Sequence, residues 1–366
     1  VRTEYSTHHN KVIYGDALET LRSLPDGLVQ CCVTSPPYWG LRDYGVEGQL
    51  GLERTPEEYV EKLVEVFREV RRVLRDDGTL WLNLGDSYAA GCMTGRQGSN
   101  SSTGQNIGQA EGTRLPPRKP PIGLKPKDLC GIPWRVAFAL QADGWWLRSD
   151  SIWAKPNPMP ESITDRPTRA HEYIFLLTKR PRYFYDADAI REESETGWMR
   201  NKRSVWHIAT KPFSGAHFAT FPPALVDPCV LAGTSPQACP HCGAPWERVA
   251  EQGKSNWQER VMNGATGGTK THGHITTHGE GMSHDLNPPE RKTIGWRATC
   301  SCEDNDGSGR CLVLDPFAGS GTVGEVAIKH GRDYLLIELN RDYEGLIKGR
   351  LGLFYEALET AGVENA

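Results

Sequence analysis

An α/β fold built on a doubly wound, mostly parallel sheet is predicted by three observations. Strand-like runs alternate with helical patterns, those runs are continuously apolar as in strands buried on both faces, and two of them lead into a proline-rich or glycine-rich corner. The 366 residues suffice for one large core with insertions. Residues 11–14 and 28–34 read as strands, with a short helix over 17–24 between them. Thr55-Pro56-Glu57-Glu58 is a helix start, with an N-cap, proline at the first position and a glutamate placed to close a capping box. Tyr59, Leu63, Val66, Phe67, Val70, Val73 and Leu74 follow at helical spacing as far as Asp77-Gly78, and residues 79–84 form the next strand.

Residues 91–127 lose all periodicity and predict a mobile basic loop, with Arg96, Arg114, Arg118, Lys119, Lys125 and Lys127 set against Glu111. Regular structure resumes with a helix over 133–142, strands over 145–153 and 173–178, and a helix over 223–231. A second polar insertion spans 239–302. The chain then returns to a strand (311–315), a glycine turn, a helix (322–330), a strand (334–338) and a terminal helix (343–358). The expected organisation is therefore residues 1–90 and 128–238 as core, the latter including a target-recognition segment, 91–127 and 239–302 as insertions, and 303–366 completing the core.

Composition narrows the function. A net charge of -4, from 42 basic and 46 acidic residues, excludes a protein that coats nucleic acid by overall basicity, so any such contact must come from local patches. No apolar run approaches the ~20 residues of a membrane span. Residues 1–11 lack the apolar centre of a signal peptide, which predicts a reducing, cytoplasmic setting. The ten cysteines then read as thiols or metal ligands and not as a disulfide framework.

Three constellations carry chemistry. In the first, Leu312-Val313-Leu314-Asp315 runs into Pro316-Phe317-Ala318-Gly319-Ser320-Gly321-Thr322, a strand, tight turn and helix start that lets backbone approach a ligand closely. Glu338, one strand-helix-strand unit later, ends a strand where a carboxylate can accept two ribose hydroxyls. An ordinary strand-to-helix turn, or a nucleotide site of another kind, is the alternative.

The second is Thr34-Ser35-Pro36-Pro37-Tyr38 at the carboxyl end of a strand, the position where open α/β sheets bind ligands. Consecutive prolines stiffen the corner and leave carbonyls free to accept hydrogen bonds. A conjugated amino group is a poor nucleophile until its N–H bonds are drawn out of the ring plane. The Ser35 hydroxyl and the Pro36 carbonyl can accept those bonds, and Tyr38 can stack on an extruded base. A loop that merely turns the chain is the plainer reading.

The third is Cys239-Pro240-His241-Cys242-Gly243 with Cys300-Ser301-Cys302, two close cysteine pairs that can supply four thiolates to a structural zinc, with His241 as a substitute ligand. Four free thiols in a loop are the alternative. Cys31, Cys32 and Cys229 read as packing residues, and the histidines between His272 and His284 as a solvated loop.

Taken together, the Ser-Pro-Pro-Tyr and Asp-Pro-Phe-Ala-Gly-Ser-Gly motifs resemble the DNA amino methyltransferase family that modifies cytosine N4 or adenine N6, in its permuted, beta-type order with the catalytic motif first. Gly15-Asp16, Ile152-Trp153-Ala154-Lys155-Pro156-Asn157, Arg169-Ala170-His171-Glu172-Tyr173, and Lys211-Pro212 with His217 to Pro222 are similar to further family segments. The resemblance implies a Rossmann-like methyltransferase fold with a small zinc-binding insertion, and S-adenosyl-L-methionine as cofactor. Asp315, Phe317, Ala318, Gly319, Gly321 and Thr322 would line its methionine end, Glu338 its ribose, and Asp16 its adenine. Ser35, Pro36, Pro37 and Tyr38 would be catalytic. Serine in place of aspartate at the head of that motif favours cytosine N4 over adenine N6.

The implied partners are double-stranded DNA and, within a restriction system, a cognate restriction endonuclease, with no membrane. Target recognition is expected from the two insertions and from Arg200, Lys202 and Arg203. Methylation of a glutamine amide or of RNA, and a non-catalytic zinc-containing DNA-binding module, are the competing classes.

Overall fold

The computed structural model describes residues 7–89, 123–195, 197, 199–210, 221–253 and 291–358. Its strands are β1 (Lys11–Tyr14), β2 (Val29–Thr34), β3 (Leu74–Leu84), β4 (Trp146–Ala154), β5 (His171–Thr178), β6 (Glu192–Glu193), β7 (Met199–Arg200), β8 (Val205–His207), β9 (Glu247–Gln252), β10 (Arg291–Arg297), β11 (Leu312–Asp315), β12 (Asp333–Glu338) and β13 (Ala357–Leu358). The helices are α1 (Ala17–Ser23), α2 (Pro56–Val73), α3 (Ile132–Ala142), α4 (Pro223–Gly233), α5 (Thr322–Lys329) and α6 (Glu344–Leu351). Nine strands form one sheet in the order β13-β1-β12-β11-β2-β3-β5-β4-β8. Its first six strands run parallel, and β5 is antiparallel to both neighbours.

Alternation along each strand builds two cores. Ile13, Cys32, Leu80, Leu82 and Leu314 face Leu21, Leu63, Phe67, Val136 and Leu140 of α1, α2 and α3. Val12, Cys31, Val33, Trp81 and Val313 face Val226, Val230, Val326, Ala327 and Ile347 of α4, α5 and α6. A sheet buried on both faces explains the unbroken apolar runs. The expected α/β, doubly wound, mostly parallel architecture is what forms.

The sequence places β11 near the far end of the chain from β2, yet the two are hydrogen-bonded neighbours with Val313 opposite Cys31 and Leu314 opposite Cys32. Their carboxyl ends therefore open on the same edge of the sheet.

Local signals account for most elements. Thr55 caps α2 by accepting from Glu58 N at 3.2 Å, and Tyr59, Leu63, Val66, Phe67, Val70 and Val73 form its buried face. The reciprocal Glu58 bond goes to Arg54 N at 3.0 Å, one residue before the position a capping box requires.

Some boundaries move. α2 stops at Val73, and Leu74 already pairs with Val29 as the first residue of β3, so the strand starts ahead of the expected Asp77-Gly78 turn. The expected terminal helix over 343–358 is interrupted by Gly352 at φ 57, which ends α6. Beyond it β13 lies beside β1, pairing Val12 with Ala357. The edge strand β8 and the antiparallel β9–β10 pair inside the second insertion carry no helical or alternating apolar signature that would predict them. Most of the expected basic loop, including Arg96, Arg114, Arg118 and Lys119, lies outside the described residues, as do residues 211–220 and the His272 to His284 stretch. Cys31, Cys32 and Cys229 are buried packing residues. Among the described residues no helix is long and apolar enough to cross a membrane.

Candidate active site

The proline corner after β2 and the glycine turn after β11 meet through a buried bond. The Thr34 hydroxyl donates to Asp315 Oδ1 at 2.7 Å, and Phe317 N donates to the same oxygen at 3.0 Å. Asp315 is 1% exposed, and burial raises its pKa to about 7. A cleft of about 1180 Å³ opens above this bond at the carboxyl ends of the strands.

One wall of the cleft is formed by Asp16, Phe317, Ala318, Gly319, Thr322 and Glu338. Gly319 sits at φ 54 with nothing within 4 Å of where a Cβ would stand, so backbone faces open space there. Glu338 accepts from Gly319 N at 2.7 Å and Asn340 N at 2.8 Å, one bond to each oxygen, which leaves lone pairs on both for hydroxyl donors. Burial pushes its pKa up to about 7. Two of the expected lining residues do not reach the cleft. Asp315 lies beneath its floor, and Gly321, at φ 79, packs toward Ile347 and is the N-cap of α5. Asp16 is exposed at the rim, where its carboxylate caps α1 by accepting from Glu19 N at 3.0 Å.

Ser35, Pro36, Pro37 and Tyr38 line the adjoining part of the cleft. Pro37 O accepts from the Tyr59 hydroxyl at 2.8 Å, which braces the corner against α2, whereas Pro36 O has no donor among the described residues. The Tyr38 hydroxyl donates to Glu172 Oε2 at 2.7 Å and lies 3.1 Å from Asn83 Oδ1, while Ser35 Oγ donates to the Tyr38 oxygen at 3.3 Å. Glu172 is ion-paired with Lys155, whose ammonium also lies 4.3 Å over the Trp153 ring.

Sequence reasoning assigned no role to Asn83, Lys155 or Glu172. A signal existed: each is polar and stands at or just beyond the end of a strand, β3, β4 or β5, on the edge where the corner lies, beside apolar residues such as Leu82, Leu84, Trp153 and Tyr173. Asp86, a further buried acid in the cleft, is occupied in starting α3 by accepting from Gly131 N at 3.1 Å and Ile132 N at 3.0 Å.

The four sulfurs of Cys239, Cys242, Cys300 and Cys302 lie within 4.8 Å of one another. A tetrahedral zinc with 2.3 Å bonds sets its sulfurs about 3.8 Å apart, so the cluster has room for one ion. His241 is not part of it, because Nε2 faces Asp304 O at 3.4 Å. The knuckle is anchored by Gln30 Nε2 donating to Gly243 O at 2.6 Å and Arg75 Nη1 donating to Cys242 O at 2.6 Å. Gln30 and Arg75 stand at the amino ends of β2 and β3, so the cysteines sit on the edge of the sheet opposite the cleft. The knuckle and the cleft thus lie on opposite edges of the sheet, and residues 254–290 of the same insertion lie outside the described residues. Of the basic segment, Arg200 and Lys202 both pair with Glu192 and Arg203 is exposed.

With the geometry in place, comparison with known proteins adds a family. Residues 29–239 and 301–349 match a family model described as DNA methylase, the N6 and N4 methyltransferases. The chain is 44% identical over 337 residues to Type II methyltransferase M.Cfr9I of Citrobacter freundii, covering 92% of this chain and 86% of that protein. It is 43% identical over 343 residues to Type II methyltransferase M.SmaI of Serratia marcescens, covering 93% and 90%. Among solved structures, the PvuII DNA methyltransferase, titled cytosine-N4-specific, shares the fold with a TM-score of 0.55 at 17% identity, over 93% of this chain and 85% of that one.

Proposed function

Since the chain belongs to the DNA methylase family of N6 and N4 methyltransferases, we propose that it moves a methyl group from S-adenosyl-L-methionine to the exocyclic amino nitrogen of a base flipped out of double-stranded DNA, cytosine N4 in preference to adenine N6. The observation that carries this reading is the Thr34–Asp315 bond, which fastens the corner suited to an amino group beside the turn suited to the cofactor. When bound, the cofactor supplies an electrophilic methyl group on a sulfonium. The chain's own residues do the rest by positioning. Glu338 accepts the ribose hydroxyls, Phe317, Ala318, Gly319 and Thr322 shape the methionine end over the buried Asp315, and Asp16 stands at the adenine end. Ser35 Oγ and the undonated Pro36 carbonyl accept the two amino N–H bonds and draw them from the ring plane. The Tyr38 ring supports the extruded base.

Ser35 at the head of its motif supports cytosine, as does the cytosine-N4 specificity in the name of the PvuII enzyme that shares the fold. The names of the relatives support a Type II restriction-modification setting with a cognate endonuclease as partner. Cys239, Cys242, Cys300 and Cys302 would hold a structural zinc.

Tritiated methyl transfer from the cofactor to duplex DNA, RNA and protein, followed by mass spectrometry of the nucleosides, tests the reading. The expected product is N4-methylcytosine in duplex DNA. N6-methyladenine would correct the base, and label confined to RNA or protein would overturn the assignment.

A further inference from the structure

Resting on that reading of the site, we propose that Glu172, paired with Lys155, sets the direction of a hydrogen-bond chain through Tyr38 to Ser35, so that the serine oxygen meets the reacting amino group with its lone pairs free. Glu172 and Lys155 are then positioning residues for methyl transfer.

The direction follows from counting protons. Asn83 Nδ2 has two acceptors, Glu172 Oε2 and Tyr173 O, each at 3.1 Å, and this turns Asn83 Oδ1 toward Tyr38. The two groups nearest the Tyr38 hydroxyl on that side, Asn83 Oδ1 and Glu172 Oε2, are therefore both acceptors. The single phenolic proton must go to them, and the shorter contact, 2.7 Å, is to Glu172. Tyr38 has no second proton, so its oxygen can only accept from Ser35. Ser35 in turn commits its one proton to Tyr38. An amino group arriving there finds an acceptor.

The arrangement requires an ionised carboxylate. A protonated Glu172 could donate to Tyr38, and Tyr38 could then donate to Ser35, leaving the serine proton aimed at the substrate's own N–H. Burial alone raises the Glu172 pKa, but the Lys155 charge and the bonds from Lys155, Tyr38 and Asn83 outweigh it and hold the group below the usual glutamate range. Lys155 is itself fixed, by the carboxylate on one side and the Trp153 ring on the other.

The test uses the full-length protein, duplex DNA and tritiated cofactor. Glu172→Gln preserves shape but offers Tyr38 an N–H donor. We expect kcat to fall about 100-fold, the loss typical of a misaligned reacting group, while KM for DNA and Kd for the cofactor stay within about 2-fold. Lys155→Met should behave alike, and Lys155→Arg should recover most of the rate. The deciding measurement is a double-mutant cycle. In a Ser35→Ala background nothing is left to orient, so Glu172→Gln should cost less than about 2-fold more. If the two losses multiply, or if Glu172→Gln retains full kcat, the proposal is overturned although the methyltransferase reading stands. Should Glu172→Gln fail to fold, Tyr38→Phe in the same cycle replaces it, with the same expectation and the same overturning result. Absence of methyl transfer by the unmodified protein would sink both readings.

Discussion

Replacing Gly85 by alanine is expected to disable the site while leaving the wall lined by Phe317, Gly319 and Glu338 intact. A Cβ at Gly85 would stand 2.5 Å from Tyr38 Cε2 and 2.9 Å from Cδ2. Carbon atoms at rest lie about 3.5 to 4.0 Å apart, so the ring has to retreat by roughly 1 Å. It has little freedom to do so. Its hydroxyl is held by Glu172 at 2.7 Å, and its backbone carbonyl abuts Gly51, where a Cβ would lie 2.9 Å away. Overpacking of this kind costs about 1–3 kcal/mol of stability, and a 1 Å displacement at a reacting centre lowers rates by ~100-fold. Gly85 follows β3, which β2 separates from the glycine turn after β11 proposed to hold the cofactor, so affinity for S-adenosyl-L-methionine should be unchanged. Steady-state methyl transfer at saturating cofactor, calorimetric cofactor binding and thermal melting together separate these effects. A folded Gly85→Ala variant with kcat within about 2-fold of the parent would refute the reasoning that ties the tyrosine's placement to turnover.

Two further outcomes follow from the buried carboxylates and the cysteines. Asp315 has its pKa raised from 3.8 to about 7 by burial, so its contribution to stability is full below about pH 4 and is lost as the pH rises through about 7, a swing on the order of 4 kcal/mol. The melting temperature of Asp315→Asn relative to the parent should therefore climb across pH 4–7, and parallel curves would contradict the assignment. Chelation or Cys239→Ser should lower the melting temperature and raise hydrogen exchange at the amino ends of β2 and β3 without weakening cofactor binding, and protein that purifies without metal and melts identically with chelator would remove the zinc proposal.

Much of this architecture was legible because local and tertiary requirements coincide. Residues 29–34 are apolar or small apart from Gln30 and are all buried, and Thr55-Pro56 does start a helix whose apolar stripe faces the sheet. The glycine and proline motifs were legible as corners because glycine permits backbone conformations closed to other residues and proline fixes its own, both visible without a partner. What escaped were features decided by distant contacts. The end of α2 depends on Leu74 pairing with Val29, and β13 exists only because β1 is there to pair with it. Glu172 and Asn83 gain their roles from a tyrosine 134 and 45 positions away, respectively. Asp315 shows the converse, a motif position that lies under the floor of the cleft, bonded to Thr34 across 281 positions of sequence that the motif alone does not bridge.

The pairing of β1 with β13 bears on self-association. β13 runs parallel to β1, with Val12 opposite Ala357 and Ile13 opposite Leu358, and so occupies the backbone donors and acceptors that β1 would otherwise offer to a second molecule. Being two residues long, β13 itself presents too short a row of unpaired groups to template further strand addition at that side of the sheet.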